Sequence, residues 1–389
     1  LGVFMDFELT EEQKLFKNSV REFVEREIIP IANEIDAKDE IPSELWRKIA
    51  DMGYFGLRYP EEYGGSAYDV LTFCLFCEEF ARGSLAVAFQ ATMQAFQSTD
   101  FIFKYGTEEQ KQRWLVPAIR GEKRGAFSVT EPGAGSDLGA METLATEEGD
   151  YYLLNGRKTW VTGGPLADFY VIGAMSDKSK GFDGIDFFVV ERGTPGFKIG
   201  REIPKFGMKG LKECELMLEN CKVPREVALA GFRKGNGAKY LRGILAEIRV
   251  VTAALGIGLA QAAFEASLEY SKQRVQFGRP IGKFQVIQHK LANLATELEA
   301  ARMFTYYSAW ILDRKGRESR EAIKVASMAK NFACEMAQRA VDEARRIYAS
   351  YGFSSELPVN RYYRDAGALL LGGGTTEINN NIIARELGL

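Results

Sequence analysis

Three short stretches of this chain carry residue types suited to chemistry. The first is FSVTEPGAGSD, residues 127–137, where apolar residues run into a Pro/Gly turn that opens toward Ser136 and Asp137. Glycines there let backbone approach a ligand closely, and free N–H groups suit a planar heterocycle or an anionic group. The second is KTWVTGG, residues 158–164, with a Trp and a Thr at the end of a strand-like run. The third is LLLGGGTTEI, residues 369–378, with three glycines between an apolar run and Thr-Thr-Glu. Each glycine costs conformational entropy on ordering. The run therefore reads as a phosphate cradle, a plain turn, or a place from which a side chain has been removed.

The elements that position these stretches fall into three blocks. Residues 9–122 read as helices: Thr10 to Gln13 and Thr107 to Gln110 are capping-box patterns, and residues 84–103 form a nearly uncharged, buried helix. From Gly125 the texture changes to short aromatic and β-branched segments separated by turn signals, which predicts an antiparallel β domain. From about residue 234 a helical period returns in three long segments, an up-down bundle. The expected fold class is α+β, with an N-terminal α-helical domain (1–123), a middle β domain (124–233) and a C-terminal helical domain (234–389). No βαβ alternation appears, which disfavours a Rossmann dinucleotide site.

At 389 residues the chain is long for one hydrophobic core. Its net charge of −3 and the lack of a basic block argue against a nucleic-acid or anionic-membrane partner, and no apolar run reads as long enough to span a bilayer. The N-terminus has no signal-peptide pattern, and Met5 reads as the natural start. The five cysteines are scattered. Cys74 and Cys77 have CxxC spacing within a helical pattern and read as buried thiols, which suits a reducing compartment. That gives a cytoplasmic setting in a bacterium, or the mitochondrial matrix in a eukaryote. The single histidine, His289, reads as structural or interfacial, and no metal site is expected.

Taken together, TEPGAGSD, KTWVTGG, QRVQFGRPIGKFQ (273–285) and RDAGALLLGGGTTEINNNIIAREL (364–387) resemble the acyl-CoA dehydrogenase family over essentially the whole chain. The resemblance implies FAD as cofactor, an acyl-CoA substrate oxidised between Cα and Cβ, and an electron-transfer flavoprotein as acceptor. It implies that Phe127, Val129 and Thr130 line the flavin, that Trp160 packs on it, and that Thr162 reaches a flavin oxygen or phosphate. Arg274, Phe277, Gln285 and the backbone near Ser350 are expected at FAD of a neighbouring subunit, with Thr375 and Glu377 also at FAD. Ser136 and Arg249 are expected along the CoA arm. A composite site of this kind implies a homo-oligomer, in this family most often a tetramer.

Two departures from the family touch the reaction. Many members carry their catalytic carboxylate at the position of Gly373; this chain keeps there only the N–H that donates to the thioester oxygen. The substitute position, just before Arg249, is Ile248, while Glu247 stands about 100° further around the helix and Ala246 replaces a family Asp. A base is then sought in Glu247 or in residues 84–103, where Asp100 is the only charge and Thr92, Gln94, Gln97 and Ser98 are polar. A flavin monooxygenase on the same fold is the alternative function. A third departure is Arg346, expected either at a phosphate or at the subunit surface. The room left by the glycines suits a branched or alicyclic acyl group.

Overall fold

The computed structural model describes residues 8–225 and 236–389. The domain boundary expected at 233/234 and Met5 lie outside the described residues. The N-terminal part contains α1 (Glu11–Phe23), α2 (Ala32–Lys38), α3 (Ser43–Asp51), α4 (Val70–Gly83), α5 (Leu85–Thr92), α6 (Asp100–Tyr105), α7 (Glu108–Gln110) and α8 (Val116–Ile119). Both capping boxes form: Thr10 caps α1 with Gln13, and Thr107 caps α7 with Gln110. The segment 84–103 is not one continuous helix. A π-helical turn, Met93–Gln97, separates α5 from α6. Such turns widen the helix locally and re-aim side chains, and this one lies at the main cleft.

The middle part is a seven-stranded sheet: β1 (Gly125–Ser128), β2 (Leu144–Glu148), β3 (Tyr151–Thr162), β4 (Phe169–Met175), β5 (Ile185–Glu191), β6 (Phe197–Glu202) and β7 (Glu213–Pro224). Antiparallel pairing dominates, but β1 pairs in parallel with β4, as does one residue of β2. The run FYVIGAM of β4 is apolar throughout because both of its faces are buried. Tyr170, Ile172 and Ala174 face the core inside the β domain, while Phe169, Val171 and Met175 join the larger core shared with the helices. This double burial fixes the sheet against the helical layers.

The C-terminal part holds α9 (Asn236–Gln273), a short β8–β9 hairpin (Val275–Gln276, Arg279–Pro280), α10 (Gln285–Lys315), α11 (Arg320–Tyr348), α12 (Pro358–Leu371) and α13 (Thr376–Glu386). Helix α9 corrects one sequence expectation: Gly237–Gln273 is long and apolar enough to cross a membrane. It is instead the central helix of the bundle, 94% buried over its most apolar window, which explains its composition. It crosses α4 at Gly258, where a Cβ would lie 2.0 Å from the Glu78 carbonyl oxygen, so only glycine permits the approach. All five cysteines are free and buried, and burial pushes the Cys74 and Cys77 thiols well up, as inert core residues.

Candidate active site

One large cleft, about 1610 Å³, opens between the ends of β1 and β3, the loop after β1, the 85–97 helical segment, and helices α9, α12 and α13. Each wall follows from local sequence. From α9 come Arg242, Leu245, Ile248, Arg249 and Thr252, one face at helical spacing. From the 85–97 segment come Phe89, Met93 and Gln97, again four apart.

The glycine run forms the turn between α12 and α13. Gly373 and Gly374 have φ of 70° and 92°, left-handed backbone that accounts for glycine at both positions. Thr375 then caps α13 by accepting from Ile378 N–H at 3.3 Å. The Gly373 N–H makes no hydrogen bond among the described residues, while its carbonyl accepts from Arg249 Nε at 3.2 Å. A Cβ built on Gly373 meets Thr252 Oγ1 at 3.4 Å and Arg249 Cγ at 3.7 Å, so the missing side chain leaves its space against those two residues.

On the opposite wall a β-bulge in β3 between Lys158 and Val161 turns Trp160 outward. The Trp holds φ 56° and stays 53% exposed at the cleft. Bulges re-aim side chains in this way next to binding sites. The TEPGAGSD turn is pinned by Glu131, a residue with no local sequence signal for that role. Its carboxylate accepts from Lys158 Nζ at 2.7 Å, Glu142 N–H at 2.6 Å and Thr143 N–H at 2.9 Å. Burial alone would push the Glu131 carboxyl up; the Lys158 charge and these hydrogen bonds outweigh it and hold it below its ordinary value. Burial pushes Lys158 down to about 8 against the opposing pull of Glu131.

The expected site residues separate into two groups. Phe127, Val129, Thr130, Ser136, Trp160, Thr162, Arg249, Gly373 and Thr375 all line the cleft. Glu377 stands exposed in the first turn of α13, beside the cleft wall but not in it. Arg274, Phe277, Gln285 and Ser350 lie outside the cleft on an exposed surface, where Phe277 is 93% exposed and the Arg274 guanidinium lies over Tyr351. Arg346 is exposed and paired with Asp342 at 2.7 Å, the surface reading. His289 is exposed on α10.

The candidate base Glu247 is corrected by the structure. Ile248 faces the cleft and Glu247 faces away from it, into a buried ionic cluster. Its two oxygens accept from Arg58 at 2.7 Å and Arg317 at 3.1 Å, and Arg317 also holds Asp100 at 2.8 Å. Both acids proposed as bases are therefore committed to arginines, with Tyr240 donating to Asp100 as well. Of the polar residues in 84–103, Gln97 reaches the cleft. Thr92 and Ser98 donate to nearby backbone carbonyls, and Gln94 ties Ala118, Lys123 and Gly125 together. The four acids that line the cleft are also engaged: Glu131 as above, Asp137 with Gly139 N–H, Glu213 with Thr162, and Glu215 with Arg201.

The cleft fits FAD. It joins an outward-facing Trp to a Gly-rich turn in which a Cβ at Gly133 or Gly135 would meet nothing within 4 Å, so a flat group has room against the backbone. Ser128 Oγ is buried at the same wall without a partner among the described residues.

Comparisons with known proteins agree with this geometry. Residues 10–122, 126–221 and 235–388 match the acyl-CoA dehydrogenase N-terminal, middle and C-terminal domains. The chain is 42% identical to benzylmalonyl-CoA dehydrogenase of Aromatoleum aromaticum, over 98% of this chain and 100% of that one. It is 38% identical to the caffeyl-CoA reductase-Etf complex subunit CarC of Acetobacterium woodii, over 97% and 98% respectively. Butyryl-CoA dehydrogenase from Megasphaera elsdenii superposes with a TM-score of 0.94 at 38% identity, covering 99% of this chain and 100% of that one. The monooxygenase alternative finds no support among these relatives.

Proposed function

Because this chain belongs to the acyl-CoA dehydrogenase family, we propose that it acts on an acyl-CoA whose acyl group is branched or ring-bearing close to the thioester. The chain is an FAD-dependent oxidoreductase that converts an acyl-CoA thioester to an enoyl-CoA. Bound FAD supplies the two-electron acceptor for hydride leaving Cβ. The observation carrying the substrate reading is the side-chain-free turn Gly372–Gly374 in the same cleft as the apolar side chains of Phe89, Met93, Leu245 and Ile248. Room beside Cα and an apolar surround suit a bulky acyl group. The acyl groups named for two of the relatives, benzylmalonyl and caffeyl, are of this kind.

Trp160 and the Glu131-pinned turn hold the planar group, and the free Gly373 N–H donates to the thioester oxygen as charge develops there. The carboxylate that many relatives use is absent at Gly373. Electrons leave through an electron-transfer flavoprotein, a reading supported by the Etf complex named for one relative. Arg274, Phe277, Gln285 and Ser350 contact FAD of a second copy, in a homotetramer. Their exposure outside this chain's own cleft supports that arrangement. Cytoplasmic placement belongs to the same reading, supported by five buried free thiols.

The test is anaerobic mixing of the yellow holoenzyme with straight, branched and phenyl-substituted acyl-CoAs while the visible flavin band is followed. Bleaching fastest with the bulky thioesters is expected. Faster turnover of straight short chains would overturn the acyl-group assignment. Sedimentation that finds a monomer would remove the shared site.

A further inference from the structure

This inference rests on the reading that the cleft holds FAD, and it concerns the end of β3. Thr162 and Glu213 are cross-strand partners on β3 and β7, just beyond the bulge that turns Trp160 outward. Thr162 Oγ1 donates to Glu213 Oε1 at 3.3 Å, and both residues line the cleft.

Glu213 differs from the other acids of the cleft. Glu131 is bound to Lys158, Glu215 to Arg201, and Asp137 is exposed. Glu213 is half-buried, and among the described residues its carboxylate has no cation within ion-pair distance. A neutral hydroxyl is its one hydrogen-bond partner there. Lys205 attracts it, but that ammonium donates to the Leu211 carbonyl. Burial outweighs Lys205 and Thr162 together and raises the carboxyl above its ordinary 4.5.

A second cavity, about 260 Å³, shares Pro204, Lys205 and Glu213 with the cleft and is lined further by Asp39, Glu202, Lys209 and Lys212. Glu202 and Lys209 are exposed, which gives Glu213 a route to solvent besides the cleft. Lys212 pairs with Asp39 at 3.0 Å and with Glu202 at 3.6 Å, leaving Glu213 outside that network.

We propose that Glu213 holds a proton for the bound cofactor, taking it from water when the cofactor is reduced and returning it on re-oxidation. A hydride leaving Cβ carries one proton and two electrons, so it adds one negative charge to the cleft. A carboxylate without a counter-ion at the same cleft is then repelled, and protonation of its oxygen removes the repulsion. When the electron pair passes to an electron-transfer flavoprotein, two protons return to water: the one that came with the hydride and the one on Glu213. Thr162 acts as a fixed link, because its hydroxyl donates to the carboxylate and accepts from the neutral acid. Hydride uptake becomes more favourable as pH falls through this range.

The test needs no acyl substrate. The midpoint potential of the flavin in the holoenzyme is measured against pH by dye-equilibrated titration. One pH unit is a tenfold change in proton concentration, worth about 30 mV per proton for a two-electron couple. Above pH 4.5 the unaltered protein is expected to show a window whose slope exceeds that of Glu213→Gln by about 30 mV per pH unit, one extra proton per electron pair. The amide keeps an acceptor for Thr162 and cannot titrate, and protons that belong to the cofactor itself are common to both proteins. Equal slopes overturn the inference and leave acyl-CoA oxidation standing. A slope of about 30 mV per pH unit throughout in the unaltered protein does the same, whether or not the variant folds. A protein that holds no flavin overturns the FAD reading as well. Infrared difference spectra on photoreduction give a second readout: a protonated-carboxyl band is expected in the unaltered protein and not in Glu213→Gln, and its absence from the unaltered protein overturns the proposal.

Discussion

Arg249 Nε donates to the Gly373 carbonyl across 3.2 Å, tying the middle of α9 to the turn between α12 and α13. The contact joins a buried arginine, which has no ion-pair partner among the described residues, to the side-chain-free turn of the cleft. Changes at either end are therefore expected to move stability and turnover together.

Gly373→Ala tests the turn. The new Cβ has room, 3.4 Å from Thr252 Oγ1, so the fold survives. The left-handed backbone at φ 70° costs a non-glycine residue about 1–2 kcal/mol. A fall in Tm is expected, together with a larger loss of turnover for bulky acyl groups than for straight ones. Unchanged selectivity would show that this space does not hold the acyl branch.

Glu247→Gln separates stability from catalysis. Glu247 is buried between Arg58 and Arg317, and breaking such a cluster costs about 3–5 kcal/mol. A lower denaturation midpoint is expected. The turnover rate per bound flavin should persist, because the carboxylate faces away from the cleft. A rate lost in fully folded, flavin-loaded protein would restore Glu247 as a base.

Lys158→Met probes the pinned turn through pH. Glu131 sits below its ordinary value of 4.5, so its contribution to holding the turn is present above that pH and is lost as pH falls through the lower folded value. Without the Lys158 charge the carboxyl loses the largest influence holding it down, so it moves up from its folded value. Acid release of flavin, followed by its fluorescence, is then expected to begin at a higher pH than in the unaltered protein. Identical release curves would remove the pair from cofactor retention.

Trp160→Ala is expected to leave the fold intact, since the side chain is 53% exposed at the cleft, and to weaken FAD retention. Dialysis followed by the ratio of flavin to protein absorbance measures it. Loss of an aromatic stacking contact is worth about 0.5–1.5 kcal/mol, a several-fold shift in the dissociation constant.

Much of this protein is determined by its sequence. The α–β–α order follows from hydrophobic periods that switch from helical to strand-like near Gly125 and back again in α9. The cleft residues Phe127, Trp160, Thr162, Arg249 and Gly373 are expected from the resemblance to acyl-CoA dehydrogenases, and the structure gathers them along one cleft. Glu131 and Lys158 were legible in principle, as charges set among strand residues, but they stand 27 positions apart and nothing local pairs them. The tertiary structure alone decided three further matters. It set the rotation of α9, which sends Ile248 into the cleft and Glu247 into the core, because a one-residue step turns a side chain about 100° and only packing fixes the origin of that rotation. It broke the helix at 93–97 with a π turn that local propensity does not report. And it left Arg249 without a counter-ion among the described residues, which depends on elements brought together from across the chain.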